Sequence, residues 1–163
     1  MAQSLSNLDS RIDVYESQYA FSGFVWSTYA NNGAVANVKV PGTKVNVPAS
    51  GDRRLIYDIP VFGCHCGGGG GADNVYLYLY LKDETAGTAV TNANTTTLTG
   101  VRGVVATGSQ SISYVGLAGK TYQLYMYVSV ASDDHCVAYC NGGILWVLPS
   151  TATTAPTTGY LYY

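Results

Sequence analysis

The sequence predicts an all-β chain: a jelly-roll-like antiparallel β-sandwich with a short N-terminal helix or arm and an extended C-terminal tail. Three observations carry that expectation. Strand-length segments of β-branched and aromatic residues alternate with turn chemistry along most of the chain. Two of them, 75–82 and 121–130, repeat with period two, as half-buried strands do. No long helical pattern follows residue 19, and about eight or nine short strands at this spacing fit a sandwich or jelly roll.

The elements follow in order. Residues 1–18 read as a separate arm. Leu5, Leu8, Ile12, Tyr15 and Tyr19 are spaced 3-4-3-4, and Met1 extends the series backwards by four. That is the seam of a coiled coil, with Arg11 and Glu16 at flanking positions that permit an interchain ion pair. A lone amphipathic helix, a short oligomerising stalk and a disordered arm all remain open there.

The β-domain is expected over 19–149. Its predicted strands are 19–28, 35–40, 45–47, 54–62, 74–82, 97–105, 111–115, 121–131 and 144–148, with turns at Asn31-Asn32-Gly33 and Pro41-Gly42. The third is edge-like because Pro48 has no N–H to give a ladder. Residues 150–163 start as a small, polar, extended linker and end in Tyr160-Leu161-Tyr162-Tyr163, read as a docking arm or a last edge strand.

Alternation assigns the faces. Val75, Leu77, Leu79 and Leu81 share one side of their strand, and Tyr76, Tyr78, Tyr80 and Lys82 the other. Tyr122, Leu124, Met126, Val128 and Val130 oppose Gln123, Tyr125, Tyr127 and Ser129. The aliphatic sides belong to a core. If the two strands are neighbours, Tyr76, Tyr78, Tyr80, Tyr125 and Tyr127 form one aromatic surface. It is read as a subunit interface, as ordinary cross-strand pairing or as a sugar-stacking platform.

Composition narrows the function. Of 163 residues, 47% are hydrophobic and 11% charged, against about 25% charged in ordinary domains. Such a surface is neutral and polar, or partly covered by partners. Net charge is −2, and no basic patch is present to neutralise phosphates, so nucleic acid is not an expected partner. Apolar runs are only strand-length, which predicts no transmembrane helix. The first residues show no cationic and apolar leader pattern. If Met1 is the native start, synthesis in a cytosol is expected. The 15 Tyr, against 3 Phe and 2 Trp, suit half-buried and interfacial positions.

All four cysteines and both histidines fall in two clusters, Cys64-His65-Cys66 and His135-Cys136 with Cys140. The expected strands place them on loops, 63–73 and 132–143, at one end of the sandwich. Three readings stand: a structural zinc held by four thiolates or by three and an imidazole, two inter-loop disulfides, or buried thiols. Each is a structural clamp, so the chain is not expected to be an enzyme, and no cofactor beyond that zinc is indicated. The tract Gly67–Gly71 lacks the Lys-Ser/Thr and the helix of a phosphate loop. Asp133-Asp134 reads as a solvated turn rather than a calcium site, and the sequon Asn94-Thr95-Thr96 as chance.

The whole layout resembles virion surface proteins of tailed bacteriophages: jelly-roll capsid decoration (cement) proteins and trimeric fibre heads with a tumour-necrosis-factor-like sandwich. The segment TTTLTGVRGVVATGSQSISYVGLAGKTYQLYMYVSVAS is similar to the paired strands of such heads. The resemblance implies a homotrimer placed on a virion after synthesis in the host cytoplasm. Its partners would be the major capsid protein or another virion protein, or a host glycan for a fibre head. The Cys/His clusters are not a feature of that family.

Overall fold

The computed structural model describes residues 18–29, 35–67, 74–90, 98–101, 105–130 and 135–152. The chain is all-β, with strands β1 (Gln18–Tyr29), β2 (Val35–Lys39), β3 (Val45–Asn46), β4 (Arg53–Gly67), β5 (Asn74–Asp83), β6 (Thr88–Ala89), β7 (Leu98–Val101), β8 (Val105–Gly116), β9 (Thr121–Val130) and β10 (His135–Pro149). The expected coiled-coil seam (Leu5, Leu8, Ile12, Tyr15), the Asn31–Gly33 turn, residues 68–73, the sequon, Asp133-Asp134 and the terminal arm from 153 lie outside the described residues.

Two antiparallel sheets form the sandwich. One runs β1-β10-β4-β8 and the other β2-β9-β5-β6, with β7 also on β5 and β3 on β9. The strands β6 and β7 pair with opposite ends of β5 and act as one interrupted strand. Lettered B to I in chain order, with β3 omitted, the sheets read B-I-D-G and C-H-E-F. This is the double-sheet jelly roll.

Four predicted strands are corrected. The stretch 97–105 is not one strand: Leu98–Val101 pairs with β5, whereas Val105 opens β8 against β4 in the other sheet. The predicted strand 111–115 extends back to 105. Its first half, Val105–Gln110, is a small and polar run in which alternation carries little hydrophobic contrast. Strand β4 continues five residues beyond Phe62 and β10 starts nine before Ile144. The two Cys/His clusters are therefore strand residues, not loop residues.

The core lies between the sheets. Leu77, Leu79, Leu81, Leu124, Met126 and Val128 meet Leu55, Tyr57, Ile59, Phe62, Ile112 and Leu145, all fully buried or nearly so. Each such aliphatic side chain contributes roughly 1.5–3 kcal/mol on removal from water. The Tyr57 hydroxyl donates to the Thr43 carbonyl (3.1 Å). Gln123 Nε2 donates to the Val40 carbonyl and to Thr43 Oγ1, each at 2.7 Å. Burial raises the Tyr57 phenol far above its ordinary range, so it stays a neutral donor.

Strands β4 and β10 reverse their buried side midway. At one end Leu55, Tyr57 and Ile59 point inward beside Leu145; at the other, Phe62 and Cys64 do so beside Ala138 and Cys140. Pro60 sits at the change, where β4 also shifts register against β8. Across from it, Gly142 adopts φ +90°, and a Cβ on Gly143 would run into the Asp58 carbonyl oxygen. Only glycine permits this close crossing.

Candidate functional site

The second sheet presents the tyrosines as one surface. Strands β5 and β9 are antiparallel neighbours, and their register sets Tyr76 opposite Ser129, Tyr78 opposite Tyr127 and Tyr80 opposite Tyr125. Alternation sends the leucines inward, so the phenols share the outer side. Tyr78 and Tyr127 stack with centroids 4.5 Å apart and planes 16° from parallel. Tyr80 and Tyr125 stack at 5.4 Å and 25°, and Tyr78 leans on Tyr80 at 6.0 Å. Cross-strand aromatic pairs of this kind contribute about 0.5–1.5 kcal/mol each beyond the area they bury.

Strand β2 extends the surface on its far side. Asn37 is opposite Tyr127 and Lys39 opposite Tyr125, and the Tyr80 hydroxyl donates to Asn37 Oδ1 (3.1 Å). At one end the ladder is capped by a charged knot. The Tyr125 hydroxyl donates to Glu84 Oε1 at 2.6 Å, while Lys39 Nζ lies 3.1 Å from Glu84 Oε2. Lys82 Nζ is 3.8 Å from Glu84 Oε1, and both ammonium groups sit over the Tyr125 ring at 5.8 and 5.2 Å. The phenol bond, then Lys39, holds the Glu84 carboxyl below the usual carboxylate range. Burial, then Glu84, pushes the Tyr125 phenol up. The same carboxylate raises the Lys39 ammonium.

Exposure grades along the ladder. Tyr125, under the knot, is 6% exposed, whereas Tyr76 at the other end is 45% exposed; Tyr78, Tyr80 and Tyr127 are half-buried. Part of the phenolic surface is thus covered by the tyrosines themselves, and the rest faces outward. Desolvation raises the phenols of Tyr78 and Tyr80, so both remain neutral hydrogen-bonding groups. Chemically the face offers flat apolar area with hydroxyl tips and a cationic rim at one end, a combination suited to recognition.

Sequence reasoning singled out the five tyrosines and missed the knot. Glu84 is the next outward position after Lys82, so extending the period by one step identifies it. Asn37 and Lys39 carried no signal, because β2 becomes a neighbour of β9 only through the topology. Gln123, on the tyrosine side by alternation, is buried and bonded to Thr43 and Val40. Trp146 is buried with Ile56 and Leu148 on the outer side of the first sheet.

The Cys/His clusters meet by strand pairing. Cys64 stands opposite Ala138, Cys66 opposite Cys136 and Cys140 opposite Phe62. His65 is opposite Val137 and His135 opposite Gly67. Cys64 and Cys140 are buried in the core. Burial raises the Cys140 thiol, partly offset by a Gly142 backbone hydrogen bond, which disfavours the reactive thiolate. Among the described residues no group of three or more His, Cys, Asp or Glu side chains is placed to hold a metal ion, and no helix is long and apolar enough to cross a membrane.

A cavity of about 440 Å³ opens at the other end of the sandwich, between β1, β3 and β10. Its lining includes Tyr19, Lys44, Asn46 and Arg53, and Tyr19 is 51% exposed.

No family model and no curated protein matches the chain. Among solved structures it is similar to the enzymatically active domain of bacteriophage CBA120 tailspike protein 4, at 12% identity and a TM-score of 0.28, over 76% of this chain and 19% of that one. It is also similar to infectious bursal disease virus, Gx strain (11%, TM-score 0.23, 80% of this chain and 37% of that one). The VP2 subviral particle of that virus gives 10%, TM-score 0.24, and 77% and 39% coverage. The chain spans well under half the length of each. Likeness at these scores carries no argument about function.

Proposed function

We propose that this protein is a structural, non-catalytic virion subunit that associates with copies of itself through the tyrosine face of its second sheet. The observation that carries the reading is the β5/β9 ladder, with four partly exposed phenols in one surface. Tyrosine anchors dominate binding energy at interfaces, and charged residues are depleted from interface centres, as they are here away from the Glu84 knot. A homotrimer suits a single face per copy, packed against a different surface of the next copy around a closed ring. The role within that reading is capsid decoration: a trimer bridging capsomers of the major capsid protein adds buried area across their joints. The protein would be made in the host cytoplasm and act on the virion, without cofactor, membrane or nucleic acid.

Binding to mature capsids tests this. Purified protein added to undecorated mature shells should sediment with them and raise their disruption temperature, and Tyr78→Arg should abolish both. Protein that leaves shells unbound and their disruption temperature unchanged contradicts the decoration role. The alternative is a receptor- or carbohydrate-binding fibre head. It is favoured by the cavity beside Tyr19, whose size lies within the roughly 300–1,000 Å³ of small-ligand sites. Glycan binding lost in Tyr19→Ala would select it.

A further inference from the structure

We infer that Cys66 and Cys136 form a cross-strand disulfide that staples β4 to β10, the two central strands of the first sheet. The inference is independent of the tyrosine face and rests on register. Strands β4 and β10 keep one register on both sides of the break at 59–61 and 141–143, and within the block from His135↔Gly67 to Cys140↔Phe62 one cysteine is set directly opposite another. Directly opposed residues of antiparallel strands have Cα atoms about 4.5 or 5.5 Å apart, according to which of the two pair types they occupy. Both values fall inside the roughly 4.4–6.8 Å that a disulfide spans.

No other pairing of the four cysteines meets that condition. Cys64 faces Ala138 and Cys140 faces Phe62, so Cys64 is a diagonal neighbour of both Cys136 and Cys140. Diagonal positions lie about 7–8 Å apart, beyond disulfide reach. Cys64 and Cys66 are two steps along one strand, about 6.7 Å, with Cβ atoms far beyond the ~3.8 Å a disulfide requires. Cys136 and Cys140 are four steps apart, about 13 Å. That last span also separates the thiols too widely for one tetrahedral zinc, whose ligands sit ~2.3 Å from the metal. His65 and His135 occupy the opposite side of the ladder by parity, so neither completes a mixed zinc set with the cysteines.

The reaction is a thiol–disulfide exchange. The Cys66 and Cys136 thiols together lose two electrons and two protons, and their sulfurs join. A low-molecular-weight disulfide takes up both and leaves as two thiols. The oxidant class is thus one available outside reducing compartments. Cys140, buried and held as a thiol, does not compete.

The test is the full chain treated with oxidised glutathione. The expected protein is lighter than its fully reduced form by two hydrogens and has two titratable thiols after denaturation. Its protease map should contain one linked peptide pair, joining the peptides that hold Cys66 and Cys136. The staple closes a loop of about 70 residues, so reduction should lower Tm by about 10 °C. Cys66→Ala/Cys136→Ala should melt at that lower value and ignore reductant. If that variant does not fold, the wild-type mass and map decide alone. Four titratable thiols after oxidation, a link through Cys64 or Cys140, or one tightly held zinc per chain would overturn the assignment.

Discussion

The two sheets solve the same packing problem with different sequences. In β5 and β9 alternation runs unbroken: leucine, methionine, valine and Tyr122 face inward along the ladder while Tyr76, Tyr78, Tyr80, Tyr125 and Tyr127 face outward. In β4 and β10 the inward side changes over midway, at Pro60 and Gly142-Gly143, so one strand serves two segments of opposite parity. The second sheet is consequently a regular surface available to a partner. The first changes its buried side midway, and the half beyond that change carries the cysteines. A strand that keeps its phase builds a surface; one that changes phase shapes a core.

Substitutions separate the two regimes. Leu79→Ala removes a fully buried side chain from the unbroken ladder and should cost about 3 kcal/mol in urea unfolding. Gly143→Ala places a methyl group against the Asp58 carbonyl oxygen at the phase change and should cost about 2 kcal/mol. Alanine at Gly143 with no loss of stability would mean that the crossing has no close-approach requirement. Tyr78→Ala takes one ring from a stacked pair and should cost the isolated chain about 1 kcal/mol.

The charged knot gives the smallest effect and one with a pH signature. Glu84 is held below its ordinary carboxylate value in the folded chain. Its contribution is therefore present above the unfolded value and is lost as pH falls through the folded one. Glu84→Gln should flatten the stability profile in that acid window, read by thermal melts between pH 6 and about 3. The loss of stability should be small, because such ion pairs contribute little, and it should be fullest near neutrality and vanish at the acid end. An unaltered acid limb in the variant would show that the Tyr125–Glu84–Lys39 contacts do not persist in solution.

What was legible followed from contrast. In 75–82 and 121–130 large aliphatic and aromatic residues alternate, so strand, inner side and outer side were all readable, and the jelly roll followed from strand number and spacing. The stretch 105–110 has no such contrast, and its strand was divided wrongly. At 58–67 and 135–143 the change of phase breaks the period that would have marked both strands, and glycine-rich flanks make the cysteine clusters look like loops. The tyrosines were readable, yet their partners Asn37 and Lys39 come from a strand 43 residues from Tyr80 at the hydrogen bond and more than eighty from Tyr125 and Tyr127. No local pattern announces such a neighbour.

The central claim is that the phenols of β5 and β9 meet another copy of the chain. Sedimentation equilibrium of the wild type beside Tyr78→Arg tests it most directly. The wild type should weigh about three times the 17.2 kDa of one chain, and the variant, still folded by circular dichroism, should weigh the same as one. A wild type that stays at the single-chain mass at high concentration, or a variant that assembles just as well, would contradict it.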